Sequence, residues 1–308
     1  MRLVIIGNGF DMHHRLKTSA RDYCIFLKNN DPNVLNDIAN SRYFIGNVVD
    51  IQSKEDIFWT DVEKNLRFDY NAMMDECKYG YHPYPLDESE SFPDSTQLTS
   101  MEEFAEGIEK KFENIKKFTT SDLHQWIKEV NVYGADLSNP CCFKQDDIFV
   151  SFNYTKTLED VYGINSRQVL HVHGCIDDRY SLQFGNTDEE SVDVELEYKK
   201  NYGDDILFEV AIQSAMEKYV TVAEYLLKDM TENIDKLNNW LPYDDVDEVV
   251  VMGHSYNGSD FRYYEEFFVP KFRNVNWTIY CWVKKPEEAK QAEFFFRKNG
   301  LKGVIINW

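Results

Sequence analysis

The chain opens with Leu3-Val4-Ile5-Ile6-Gly7-Asn8-Gly9-Phe10-Asp11, and this run constrains the fold more than any other stretch. Four consecutive apolar residues predict a short strand buried on both faces. Two glycines one residue apart end it. Residues 12–29 then carry helical spacing, with Leu16, Tyr23, Phe26 and Leu27 near one face, and Asp31-Pro32 breaks it. A strand, a tight Gly turn and a helix bring backbone N–H groups within reach of phosphate. Gly7, Asn8, Gly9 and Phe10 are therefore candidate nucleotide-binding residues. The motif has two of the three glycines of the dinucleotide fingerprint, with Met12 where the third is expected. A simple turn is the competing reading.

The pattern recurs downstream. Residues 147–152, 169–174, 249–253, 277–282 and 303–307 read as short buried strands, and 182–185 as a further short one. Helical spacing occupies 55–66, 101–131, 206–240 and 286–298. Residues 79–100 hold Pro83, Pro85 and Pro93 among acidic and Ser residues and read as a loop. Apolar strands alternating with helices predict an α/β fold: a Rossmann-like parallel sheet with helices on both faces. One domain spans 1–308, with a mainly helical insertion at 50–135.

With 308 residues, 43% of them hydrophobic, the chain can bury a large core. Its 54 acidic residues outnumber 33 basic ones, a net charge of −21. That argues against an open nucleic-acid groove, which needs clustered Lys and Arg. No stretch is long enough to span a membrane. Six cysteines without a CxxC pair read as free thiols in a reducing cytoplasm.

Four predicted strands end in polar or Gly-rich turns, and parallel sheets bind ligands at the carboxyl ends of their strands. Asn153-Tyr154-Thr155 reads either as a turn with a helix cap or as a cleft where the Asn153 amide holds a ribose hydroxyl or water. His171 and His173 stand two residues apart at the end of a predicted strand. His173, beside Gly174, is the better acid–base candidate, and the pair does not suit a metal. Gly253-His254-Ser255 lacks the second Gly of a nucleophile elbow, since Asn257 stands there. Backbone and Ser255 contacts to phosphate or ribose are the expectation instead. Trp59, Asp61 and Glu63 read as a helix face with one aromatic anchor, and the aromatic stripe at 261–268 as core.

These pieces together resemble the bacteriophage abortive-infection family AbiH. The residues that carry the likeness are Ile6-Gly7-Asn8-Gly9-Phe10-Asp11 with Leu16-Lys17-Thr18, Phe58-Trp59 through Glu63, and Phe152-Asn153-Tyr154-Thr155 with Thr157-Leu158-Glu159. Leu170-His171-Val172-His173-Gly174 and Gly253-His254-Ser255 with Asp260 complete it. Arg15 departs from the pattern, standing where the family usually carries Gly. The family is in turn similar to Sir2 and sirtuin NAD-binding proteins. Gly7-Asn8-Gly9 looks like their first Gly-rich loop, Phe152-Asn153 like their Asn segment, and Val172-His173-Gly174 like their His-Gly. Gly253-His254-Ser255 looks like their late Gly-Thr-Ser loop. The sirtuin four-cysteine zinc module has no counterpart, which speaks against protein deacetylation.

The resemblance implies an antiphage protein with a Sir2-like NAD pocket and no metal. It implies catalytic roles for His173 (general base), Asn153 (ribose or water) and Asp11 (ribose, or developing positive charge). Gly7, Asn8, Gly9, Phe10, Thr155, Gly253, His254 and Ser255 would bind the nucleotide. The reaction would be hydrolysis of the nicotinamide–ribose bond. Alternatives are a nucleotide or ADP-ribose sensor acting through a partner protein, and an RNA-directed toxin, which the charge disfavours. A phage trigger and a homo-oligomer are further expectations.

Overall fold

The computed structural model describes residues 1–40, 62–66, 95–178, 181–187, 225–256, 258–283 and 285–308. Six strands form one sheet: β1 (Arg2–Ile6), β2 (Ile148–Ser151), β3 (Val169–His171), β4 (Glu248–Met252), β5 (Asn276–Cys281) and β6 (Lys302–Asn307). Their order is β3-β2-β1-β4-β5-β6, and every pairing is parallel. β1 lies at the centre. Leu3 pairs with Ile148 on one side and Val249 on the other. The chain moves outward from β1 through β2 to β3, then returns to β4 on the opposite flank. A switch point therefore falls between β1 and β4, where doubly wound sheets open a crevice at their carboxyl ends.

Alternation along β1 explains its continuous apolar run. Leu3 and Ile5 join one core cluster, together with Met230, Leu237, Tyr263, Phe267, Trp277 and Phe295. Val4 and Ile6 join another, with Phe10, Phe149, Leu158 and Met252. Both faces are thus buried, as a parallel sheet requires. At about 25 cal/mol per Å² of apolar surface, such two-sided burial is the main favourable term of the fold. Helix α1 (Asn8–His13) and α2 (Ala20–Asn30) follow β1, and α3 (Pro32–Asn40) starts at the proline expected to end α2. Then come α4 (Val62–Asn65), α5 (Ser95–Thr119), α6 (Ser121–Glu129), α7 (Thr157–Tyr162) and α8 (Met230–Trp240). Residues 261–272 form α9, and α10 is Pro286–Asn299. The middle of α9, Tyr264–Phe268, is a π turn. Pro270, just beyond it, offers no N–H to the carbonyl four residues back, which favours a wider turn.

Several expectations need correcting. The helical spacing over 12–29 conceals a break: α1 ends at His13, and Ser19 starts α2 through a capping box with Asp22. α5 begins at Ser95, so the last six residues of the 79–100 loop are helical; residues 79–94 lie outside the described ones. Residues 182–185 are not a strand; only Asn186 makes an isolated bridge, to Leu227. Of the predicted helix at 55–66, Val62–Asn65 is described, and Phe58, Trp59 and Asp61 are outside. The stripe at 261–268 is core, as its pattern predicts, with Tyr263, Tyr264, Phe267 and Phe268 buried. No described helix is long and apolar enough to cross a membrane.

Candidate functional site at the sheet switch point

The Gly turn after β1 and the Gly253 turn after β4 interlock. The Gly7 N–H donates to the Met252 carbonyl at 3.0 Å, and the Gly9 N–H to the Gly253 carbonyl at 2.8 Å. Gly253 has φ +65°, and a Cβ there would lie 2.0 Å from the Phe10 nitrogen. A Cβ on Gly9 would lie 2.7 Å from the Gly253 Cα. The glycines therefore let two loops touch backbone to backbone. Their amides are bonded within the protein, unlike the phosphate cradle the motif suggests. Asn8 donates its side-chain amide to the Thr18 carbonyl at 2.8 Å. Phe10 turns into the core, beside His14, Phe143, Tyr162 and Trp308.

Asp11, Asn153 and Thr155 do come together. Thr155 Oγ1 donates to Asp11 Oδ2 at 2.5 Å, and Thr157 Oγ1 lies 3.1 Å from Thr155 Oγ1. Burial pushes the Asp11 carboxyl up to about 6, against the lowering effect of Thr155, Thr157 and Asn153. The Asn153 N–H donates to Ser151 Oγ at 3.2 Å, and its carbonyl sits 3.0 Å from His171 Nδ1. His171 Nε2 lies 3.0 Å from Glu159. His171 thus fastens the turn that carries Asn153 rather than facing the core.

His173 and His254 flank the ring of Phe152, at centroid distances of 5.2 and 4.6 Å. His173 Nε2 is 3.1 Å from the Tyr263 hydroxyl and 3.7 Å from Asp260 Oδ1. Its ring is 1% exposed, and burial, then the charge of Lys228, lowers its pKa to about 3. It is a neutral imidazole at physiological pH. His254 Nδ1 faces the Ser255 carbonyl at 3.0 Å, and Ser255 itself lies exposed.

Three residues outside the predicted set complete the cluster. Lys228, fully buried, donates to Glu63 Oε2 at 3.0 Å and Asp260 Oδ1 at 2.8 Å. Burial alone would raise Asp260, but Lys228, His173 and His254 outweigh it and hold the carboxyl well below its ordinary value. Burial opposes the Lys228 charge, but Asp260 and Glu63 overcome it and raise its pKa. Asp260 was legible as part of the AbiH pattern. Lys228 left no sequence signal beyond a cation near an apolar stretch.

A parallel α/β protein with polar residues gathered at the switch point of its sheet is the class this geometry defines. The model of the family described as bacteriophage abortive infection AbiH matches residues 3–281, and the chain belongs to that family. Membership ties it to phage abortive infection. No curated protein and no solved structure gives a match.

Proposed function

We propose that the switch-point cleft binds a nucleotide of the NAD type and hydrolyses its nicotinamide–ribose bond. One observation carries this reading. Asp11 Oδ1, Asn153 Oδ1 and His254 Nε2 are buried without a hydrogen-bond partner among the described residues, His254 Nε2 lying 4.0 Å from Asp260 Oδ2. They belong to the segments that follow β1, β2 and β4, with Asp11 in α1. Buried polar atoms need partners, and strand ends flanking a switch point are where a ligand supplies them. These acceptors suit ribose hydroxyls. They offer no positive charge to a pyrophosphate, and the Gly7 and Gly9 amides are already bonded.

Asp11, with its pKa near 6, is mostly ionised at neutral pH. Its charge favours the oxocarbenium-like transition state. Asn153 holds a ribose hydroxyl or the attacking water. The C1′–N bond breaks with its electron pair going to the nicotinamide nitrogen. Water bonds to C1′ and gives its proton to Asp11. His173, its basicity suppressed, is the weaker proton acceptor of the two and serves as a fixed hydrogen-bond partner. The remote likeness to sirtuins supports the same substrate class.

A second reading is a nucleotide sensor that acts through a partner protein. The burial of His173 and its low pKa favour it, because they suit binding without turnover. The test is nicotinamide release from NAD by the native protein, Asn153→Ala and Asp11→Asn. Release lost in both variants establishes hydrolysis. NAD binding without release favours the sensor. Neither binding nor release removes the NAD reading.

A further inference from the structure

The Tyr154 hydroxyl lies 2.8 Å from Glu63 Oε1 and 2.8 Å from the Gln183 carbonyl oxygen. Both are acceptors in their ordinary states, and a hydroxyl has one hydrogen to give. The two contacts are hydrogen bonds together only if Glu63 brings a proton of its own. Glu63 then donates to the Tyr154 oxygen, and Tyr154 donates to Gln183.

The surrounding charges agree. Glu63 Oε2 accepts from Lys228 at 3.0 Å and Ser259 Oγ at 3.3 Å. Lys228 is already balanced by Asp260 at 2.8 Å, so an ionised Glu63 would leave one unit of negative charge in excess. Lys228, Asp260, Tyr154 and Tyr263 are the charged and titratable groups that face Glu63 among the described residues. Burial, together with the Asp260 charge, raises its pKa against the pull of Lys228 and Tyr154.

We infer that Glu63 is a positioning residue of the site that keeps its proton at neutral pH, and that this proton fixes the hydrogen-bond path from Glu63 through Tyr154 and Gln183 to His173. The path is continuous. The Gln183 N–H donates to the His173 carbonyl at 3.0 Å. Asn233 Nδ2 donates to Gln183 Oε1 at 2.7 Å and to the Tyr263 hydroxyl at 2.8 Å. Tyr263 in turn contacts His173 Nε2 at 3.1 Å. Ionising Glu63 makes both Tyr154 contacts compete for one hydrogen, and Gln183 loses its donor. The inference is independent of which ligand the site takes.

The test compares the native protein with Glu63→Gln, whose amide imitates the protonated acid, and with Glu63→Ala. A group whose folded pKa is raised favours the fold at low pH and loses that advantage as pH climbs through the folded pKa. The folding constant of Glu63→Gln relative to native should therefore rise by about tenfold per pH unit from about 4.5 up to the folded pKa. Glu63→Ala should be weaker than Glu63→Gln at every pH. The infrared band of a protonated carboxyl should be present in native protein at pH 7 and missing from Glu63→Gln. A flat or falling ratio, or an equal band in both, overturns the inference. If Glu63→Gln does not fold, Tyr154→Phe takes its place. The acid band then shifts if Tyr154 accepts its proton, and an unmoved band overturns the inference.

Discussion

Arg15 holds φ 59°, and it is the one non-glycine residue with positive φ among the described ones. The Arg15 N–H donates to the Met12 carbonyl, and Leu16 N–H to the Asp11 carbonyl, at 3.0 and 3.1 Å. That pair of bonds is a Schellman ending for α1, with Arg15 at the position that favours Gly. The Gly usual in the family at this point thus has a backbone reason. The Arg15 side chain is 79% exposed and pairs with Asp136, so it stays out of the cleft. Arg15→Gly should stabilise the fold by about 1 kcal/mol, read as a higher denaturant midpoint at unchanged slope. Asp11 should act the other way on function. Its carboxyl pKa rises from 3.8 to about 6 on folding, so stability is highest below the unfolded pKa and falls as pH climbs through about 6. Above that, the buried charge costs about 3 kcal/mol. Asp11→Asn should therefore melt higher than native protein at pH 7.5, with the gain shrinking toward pH 4, while nicotinamide release is lost. Asp11, Asn153 and His173 were legible because polar residues directly after apolar runs mark strand ends. Lys228 was not, and Glu63 was legible only as the end of the Phe58–Glu63 piece of the AbiH pattern, with nothing to say that the two meet across 165 positions.

At the scale of elements, the contact between the turns after β1 and β4 is set by backbone proximity. Gly253→Ala faces both a left-handed φ and a Cβ within 2.4 Å of the Gly9 carbonyl carbon. Backbone atoms cannot step aside, so a loss of roughly 3 kcal/mol or more is expected, read by chemical denaturation. Gly107→Ala is the matching control. It lies in α5 with nothing within 4 Å of its added Cβ, and should gain about 1 kcal/mol. The GxG motif was legible as a turn, whereas its partner was not, because nothing local in Gly7-Asn8-Gly9 points to a loop near residue 253. The helix end at Asp31-Pro32 was legible, whereas the capping box of Ser19 and Asp22 went unread within the helical spacing of 12–29. The break after His13 was hidden because the residues on either side keep helical spacing.

For the whole molecule, runs of buried apolar residues sufficed to predict a parallel sheet. The strand order was beyond them, since Val4, Phe149 and Val250 are interchangeable as buried strand residues and only packing selects their neighbours. The order decides which turns meet, and so brings residues 11, 153 and 254 to the same end of the sheet. Ligand binding to that site should stabilise the entire fold by mass action. NAD at a hundred times its Kd should add about 2.7 kcal/mol, seen as a concentration-dependent rise in Tm on the order of 5 °C. Asn153→Ala should flatten that rise.

The central place of β1 also has a consequence in time. It precedes both of its neighbours in the chain, which begin at Ile148 and Glu248. At about 5–20 residues per second, synthesis reaches the far neighbour only roughly ten to fifty seconds later. Until residue 151 has been made, Leu3-Val4-Ile5-Ile6 has two open edges, and until residue 252 it still has one. The nascent chain is thus vulnerable to aggregation at this strand, and its yield in the cell depends on how well that tetrapeptide is sheltered until residue 252 has been made.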